Sequence, residues 1–597
     1  MKLSKEQTNA IKQINGPILI LAGPGAGKTT MLLERIKYLS KWIDPRHILT
    51  ITFSKNQAVD MKERFDLDTG NFMTIHAFCY LIIRNYLKKN KRQVRLLEAS
   101  DLYNKYDLIS KIYLEINDRK INNEDLNEFF LKTSFMKNAM LSEDYLETSG
   151  VKNIRKIYQK YEKFKQTNFF IDFDDMQVLA LRYINEDNNL LRSVRNKYQY
   201  IQVDEAQDTS LIQFKIIEKI GYPKNNILLV GDDDQSIYSF RAANVSYLLN
   251  FKKTYPSARI LTMNENHRSK KTIVDVSSSF IRKNKFRYDK NLFTKNEDCG
   301  SLILKTFNKV YDQYKFIKNN LDTNKKNAIL FRNNIQAINM MAFLLEDGVD
   351  FTYRFSEMDF FSSNIINDIF SIIRFSEDFN DSSTFRDIYY KIKSYLSKDE
   401  IDQLTYKPIN QNVFDFYYGK DLSNQTFENL IQKEKEFKHI RKLGLDKKIK
   451  YIYTYMGYKE YIDHFSKKYR QEIVNKDLFI ESLINFTKNL ATIEDFKGKL
   501  KDLERSKNDD ESNLILSTIH RSKGLEYDNV FIINLIENEF PMLIGDDLED
   551  KLEEERRIMY VAMTRAKENL YILSFKKRSS VKLNPSIFYK EIKEIYK

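Results

Sequence analysis

Short apolar runs bounded by Gly, Asp or Asn recur along the chain in three zones. The first zone holds "GPILILA" (16–22), "HILTITF" (47–53) and "NFMTIHAF" (71–78). The second holds "YQYIQVDEAQD" (198–208), "NNILLVGDDDQ" (225–235) and "ARILTM" (258–263). The third holds "SLILKTF" (301–307), "NAILFR" (327–332), "NLILSTIH" (513–520), "NVFIINL" (529–535) and "NLYILSF" (569–575). These runs are continuously apolar rather than alternating, which describes strands buried on both faces. With helical patterns between them they predict α/β units built on parallel sheets.

Two long stretches lack that signature. Residues of about 86–190 and about 376–508 are charged, nearly free of Gly and Pro, and apolar at helical intervals, so they read as mostly helical domains inserted into α/β hosts. The polar run "KDLERSKNDDES" (501–512) is the expected solvated link back into the second host. There is no internal repeat and no low-complexity tail.

A length of 597 residues with 42% hydrophobic content allows about four domains of ~150 residues. No window approaches the ~20 apolar residues of a membrane span, and "MKLSKEQTNAIKQ" has no apolar signal core, so the expected location is the cytoplasm, with no membrane partner. Two cysteines, Cys79 and Cys299, exclude a disulfide framework and any four-cysteine zinc or iron–sulfur site. A metal would need oxygen ligands. The net charge of +14 favours a polyanionic partner, because basic surface displaces counterions from a phosphate backbone. The abundance of Lys, Asn, Ile and Tyr also follows from an AT-rich coding sequence, so charge alone leaves nucleic-acid binding open.

The stretch "AGPGAGKTT" follows a predicted strand and precedes the helical pattern "MLLERIKYL", the context of a phosphate-binding loop. Gly23, Gly25 and Gly27, with Ala22, Pro24 and Ala26 between and before them, let backbone N–H groups turn onto phosphates. Lys28 is placed for the β and γ phosphates, Thr29 for Mg²⁺, and Thr30 follows. "YIQVDEAQD" supplies the acids: Asp204 to hold Mg²⁺ through water and Glu205 as general base, a pairing that argues for hydrolysis. In "LLVGDDDQSIYSFRAANV" (228–245), Gln235 is placed to touch a γ phosphate or the attacking water. Tyr238 and Phe240, taken alone, read as core, and Asp232, Asp233 and Asp234 as a solvated turn. Arg565, taken alone in "YVAMTRAKENL", reads as a surface charge.

The ordered set "LSKEQTNAI", "AGPGAGKTT", "ILTITFSKNQAVDMKER", "MTIHAF", "VDEAQDTSLIQF", "VGDDDQSIYSFRAANV", "NENHRSKKTI", "STIHRSKGLEYDNVFIINLIENEFP" and "EEERRIMYVAMTRAK" resembles the UvrD/Rep/PcrA group of superfamily 1 DNA helicases, from Leu3 to Lys567. The resemblance implies two RecA-like α/β cores around an ATP cleft: the first at 1–85 and 191–265 with a helical insertion at 86–190, the second at 266–375 and 509–597 with an insertion at 376–508. It implies a motor moving 3′ to 5′ on single-stranded DNA and opening 3′-tailed duplexes. Carried over by motif, Gln7 meets the adenine edge, Arg268 and Arg565 reach the γ phosphate, Glu526 meets the ribose, and Arg241 links the ATP site to motion. Phe53, Tyr238 and Phe240 are implied to stack on bases, each contributing about 1–3 kcal/mol without reading sequence. His76 and His520 stand in motifs that touch the strand. "IDFDDM" (171–176) also recurs in the family, with no chemical role assigned to Asp172, Asp174 or Asp175.

The chain departs from the family pattern in places. His267 stands where a tyrosine usually stacks on adenine and Thr30 where an arginine is frequent, which leads us to expect looser ATP preference; Phe240 likewise stands where tryptophan is more usual. The second insertion is shorter than usual, and the chain ends at Lys597, without the C-terminal extension of some relatives. That compact build also fits a rival reading: a DNA-stimulated ATPase that unwinds poorly alone and serves a nuclease partner, as in Gabija-like phage defence.

Overall fold

The structure is a computed structural model that describes residues 3–65, 70–297, 302–354, 358–469, 476–507, 512–543, 547–578 and 581–597. Cys299 and part of the 501–512 link lie outside the described residues. The chain forms two compact units, residues 1–310 with 522–597, and residues 311–521.

The first unit is built on a six-stranded parallel sheet of β1 (Ile18–Ala22), β2 (Ile48–Thr52), β3 (Asn71–Thr74), β4 (Tyr200–Val203), β5 (Ile227–Gly231) and β6 (Arg259–Met263). Their spatial order is β3-β2-β4-β5-β1-β6. Strand β1, between β5 and the edge strand β6, pairs Ile18 with Leu228 on one side and with Arg259 on the other. The continuous apolar runs are explained by two cores, one on each face. Leu19, Leu21, Leu49 and Ile51 point into one, and Ile18, Ile20, Ala22 and Ile48 into the other. Alternate residues of one strand therefore serve opposite cores, and polar ones such as Thr50 and Gln202 are buried and bonded to each other.

The run 71–78 is strand only as far as Thr74. The Thr74 hydroxyl accepts from the backbone N–H of Ala77 and starts the helix Ile75–Lys89, so the second half of that run is helical. A further parallel set in this unit comprises β7 (Leu302–Lys309), β8 (Tyr527–Ile532) and β9 (Ala566–Arg578), with β9 in the middle.

Between β3 and β4 the chain is helical, as its apolar spacing predicts. Helices Lys105–Asn117, Asn123–Asn138, Ile154–Thr167 and Phe173–Glu186 enclose a core that includes Ile109, Tyr113, Phe129, Ile157 and Phe170. Here "IDFDDM" acquires a structural role. Asp172 caps the helix Phe173–Glu186 in a reciprocal capping box with Asp175. The fully buried Lys165 ammonium donates to both, at 2.5 and 2.6 Å, and Lys137 donates to Asp175 at 2.7 Å. Asp174 accepts from Ser134 and Asn138, and Asn138 in turn accepts from Ser210 at the start of the helix Leu211–Gly221, tying the insertion to its host. Glu162, Asp172 and Asp175 lie close enough to hold a cation, and the two lysines already fill that role.

The second unit holds a parallel set of Asn327–Phe331, Leu514–Thr518 and Thr352–Arg354, with Leu514–Thr518 central. The rest is helical, again as its pattern predicts. The Phe375 ring packs with Phe379, Phe385, Phe414 and Phe437, uniting helices Asn364–Glu377, Val413–Tyr418 and Asn424–Ile440. No helix among the described residues is long and apolar enough to cross a membrane.

Removing one partner of a buried ion network leaves the others uncompensated, at a cost of about 3–5 kcal/mol. Lys165→Met is therefore expected to lower the midpoint of the first urea-unfolding transition. Asp107→Asn, at an exposed position on Lys105–Asn117, is expected to leave it unchanged.

Candidate active site

The loop Gly23–Gly27 leaves the end of β1 and delivers Lys28 to the first turn of the helix Lys28–Leu39. Gly25 and Gly27 have φ of 71° and 77°, in the left-handed region. They are also closely approached: a Cβ on Gly25 would lie 2.7 Å from the Arg268 Cβ, and one on Gly27 would lie 2.5 Å from Gln7 Nε2. The His267 backbone N–H donates to the Gly25 carbonyl, so the loop carrying "NHRS" is fastened directly to the phosphate loop. The buried Gln7 amide is engaged at both ends, Nε2 donating to Ala26 O and Oε1 accepting from Ser4 N. It thus braces the phosphate loop, the neighbour of any adenine edge it is expected to read.

Asp204 and Glu205 stand at the end of β4. Burial, with the Glu205 charge beside it, pushes the Asp204 carboxyl up to about 7. Burial acts the same way on Glu205, but Lys28, Lys523 and a hydrogen bond from Gln207 outweigh it and bring that carboxyl down to about 2. Glu205 Oε1 lies 3.7 Å from Lys28 Nζ, and Oε2 accepts from Gln207 Nε2 at 2.6 Å. Gln207, fully buried, also accepts from the Asp232 backbone N–H, so one amide joins the ends of β4 and β5.

Arg565 is only 2% exposed, which overturns its reading as a surface charge. Its Nε donates to Val561 O, one terminal nitrogen to Leu525 O, and the other to Gln235 Oε1, each at 3.0 Å. Burial and the neighbouring Arg268 lower its pKa to about 9. Arg268 donates through Nε to Glu526 at 2.6 Å, and Glu526 also takes Lys567 at 2.9 Å. His267 is exposed, with Nδ1 3.8 Å from Glu265.

These groups enclose a cleft of about 220 Å³ lined by the phosphate loop, Thr29, Thr30, Gln57, Arg64, Glu205, Gln235, Arg268, Gly524 and Arg565. Lys28, Arg64, Arg268 and Arg565 face it, against a single carboxylate, Glu205. Arg64 was not singled out from the sequence. It ends the helix Lys55–Arg64 and reaches the Thr30 hydroxyl at 3.4 Å, bringing a guanidinium beside the position where the family frequently has one. Its signal was "VDMKER" after β2, legible only once β2 is known to lie beside β4. Lys523, donating to Asp208 and to the Gln235 carbonyl, was likewise missed. The carboxylates of Asp232, Asp233 and Asp234 are buried rather than in a solvated turn. The Lys290 ammonium meets all three at 2.5–2.9 Å, and Arg287 forks onto Asp234.

Beside the cleft the aromatic residues form a cluster. Phe53 and Tyr238 stack with centroids 5.1 Å apart and planes at 22°, and Phe240 lies 6.0 Å from Tyr238. Phe53 and Phe240 are 41% and 46% exposed, which is not a core placement. Arg241 does not line the cleft; its guanidinium sits 5.5 and 5.6 Å from the Tyr238 and Phe240 rings. Lys523 lies over Tyr238, so one side chain touches both the ring cluster and the Gln235 loop. His76 faces Gln177 and Phe173, and His520 belongs to the second unit, following Leu514–Thr518.

The sequence matches known proteins along most of its length. Residues 3–256 match the UvrD/REP helicase N-terminal domain, and residues 261–577 match the UvrD-like helicase C-terminal domain. A probable DNA helicase II homolog of Mycoplasma capricolum is 30% identical over all of this chain and 88% of its own length. The ATP-dependent DNA helicases PcrA of Staphylococcus aureus and Staphylococcus epidermidis are each 28% identical over 99% of this chain and 86% of theirs. With both halves matched and the nucleotide cleft assembled from them, the chain belongs to the UvrD/REP helicase family.

Proposed function

We propose that this ATP-dependent DNA helicase moves 3′ to 5′ along single-stranded DNA and separates 3′-tailed duplexes, in DNA repair, replication or phage defence. The observation that carries the reading is the charge of the cleft: four cationic side chains against one carboxylate, around a glycine loop that can only be completed by a polyanion. ATP supplies that charge. In this reading Lys28 and the loop N–H groups hold the phosphates, and Glu205, kept ionised by Lys28, accepts a proton from the attacking water. Gln235 orients that water, and Arg268 and Arg565 stabilise charge on the γ phosphate, an effect worth about 10³–10⁵ in rate. In this reading the chain has two RecA-like cores, 1–85 with 191–265 and 266–375 with 509–597, and two insertions, 86–190 and 376–508.

Thr29 and Asp204 are an all-oxygen donor pair suited to Mg²⁺. Bound Mg²⁺ would neutralise phosphate charge there. For DNA, the exposed Phe53 and Phe240 rings beside the half-buried Tyr238, with Arg241 against Tyr238 and Phe240, suit sequence-independent base stacking. The coupling of step to hydrolysis runs through Lys523, which touches both the ring cluster and the Gln235 carbonyl.

Arg565→Ala is expected to bind a fluorescent ATP analogue with near-normal affinity and to lose about 10³-fold in DNA-stimulated kcat. Lys28→Ala is expected to weaken both. Unchanged hydrolysis by Arg565→Ala would reject the assignment. Arg64→Ala is expected to raise the ATP dissociation constant about tenfold, the scale of one charge-assisted contact of about 1.4 kcal/mol. With histidine at 267 and threonine at 30, kcat/KM for GTP is expected to lie within about tenfold of that for ATP, a small difference in transition-state binding; strict ATP selectivity would contradict this. Strand displacement by the purified chain on 3′-tailed and not 5′-tailed duplexes tests direction. ATPase without displacement would favour the translocase subunit of a nuclease complex.

A further inference from the structure

Gln235 is held by more than its own loop. Its Nε2 donates to Asp232 Oδ2 at 2.7 Å, while its Oε1 faces Arg565. An amide can point either way unless its surroundings choose, and here Asp232 accepts at one end while Arg565 donates at the other. Asp232 lies beside two further acids, Asp233 and Asp234, all with side chains removed from water, which gathers three acidic groups where water cannot solvate them. What offsets this is the Lys290 ammonium, itself wholly buried, 2.5 Å from Asp232 Oδ1 and 2.6 Å from Asp233. The three carboxylates raise its pKa above the ordinary lysine value even though burial opposes its charge.

Lys290 does not touch the cleft. It is carried on the segment that follows the helix Lys271–Ile281, and the same segment sends Arg287 to Asp234 and the Tyr288 N–H to Asp233. That segment descends from the "NHRS" loop bearing Arg268. We propose that Lys290 is a positioning residue for ATP hydrolysis: by gripping Asp232 Oδ1 it sets the place of Oδ2, which in turn fixes the Gln235 amide with Oε1 toward Arg565 and the attacking water. The inference rests on the reading of Gln235 given above. The polar path is Lys290 to Asp232 to Gln235 to Arg565, in which each group chooses the orientation of the next. It makes the Gln235 orientation depend on a residue that arrives from a separate stretch of chain, so that the segment leaving Arg268 and the loop bearing Gln235 keep one register.

The test is a double-mutant cycle in the full chain, measuring DNA-stimulated ATPase and, separately, binding of a fluorescent ATP analogue. Lys290→Met is expected to lower kcat about 10²-fold, as misplacement of a reacting group does, with the nucleotide dissociation constant changed less than about threefold. In a Gln235→Ala background the same substitution is expected to cost nothing further. If Lys290→Met does not fold, Lys290→Met/Asp233→Asn, which keeps the net charge of the cluster, takes its place with the same expectation. Additive losses in the cycle, or a normal kcat for the lysine variant beside a slow Gln235→Ala, would overturn the positioning role alone. A normal rate for Gln235→Ala would overturn it together with the reading on which it stands.

Discussion

Positive charge held close together without a matching number of acids is the constraint on which the rest of the structure depends. Lys28, Arg64, Arg268 and Arg565 converge on one small cleft, and burial, with Arg268 beside it, weakens the hold of Arg565 on a proton. Such an arrangement is tolerable only if each cation is otherwise engaged. Arg565 leans on carbonyl oxygens at Val561 and Leu525, Arg268 on Glu526, and Lys28 on Glu205. None of these partners fully replaces a phosphate. The cleft is therefore preorganised for an anion, and the surrounding hydrogen bonds are what hold like charges at close range until the anion arrives.

The buried carboxylates answer the same problem from the other side. Asp232, Asp233 and Asp234 are gathered on Lys290 and Arg287, and Asp172 and Asp175 on Lys165 and Lys137. In both clusters the lysine comes from a different segment than the acids, so each acts as a specific clip between pieces of chain. Hydrophobic burial brings these pieces together without strongly fixing their angle; paired charges out of water tolerate little slippage, because a displaced partner leaves an uncompensated ion.

Much of this was legible in the sequence. The six strands of the phosphate-loop sheet appear as continuous apolar runs because both faces of the sheet are covered, and Ile18, Leu19, Ile20 and Leu21 all have core to enter. The phosphate loop could be read because glycine at 25 and 27 is demanded by local backbone geometry. What could not be read is anything decided by partners far along the chain. Three consecutive aspartates look solvated until Lys290 is placed against them, and Arg64 is one more basic residue at a helix end until strand order brings it to Thr30. The end of β3 at Thr74 was missed for a local reason: "NFMTIHAF" stays apolar across the junction, and the only mark of the change is a threonine able to cap a helix.

The pairing of β1 also bears on how the protein is made. Ile18 finds its neighbours at Leu228 and Arg259, so the strand that carries the phosphate loop has no partner when it first leaves the ribosome. At a synthesis rate of about 5–20 residues per second, the roughly 200 residues that separate β1 from β5 correspond to a delay on the order of 10–40 s. Through that interval an apolar strand with two open edges must stay out of wrong pairings, while the helical insertion, whose contacts are local, folds ahead of it. The cleft around Lys28 therefore forms late, and one of its side chains, Arg565, emerges 537 residues after Lys28.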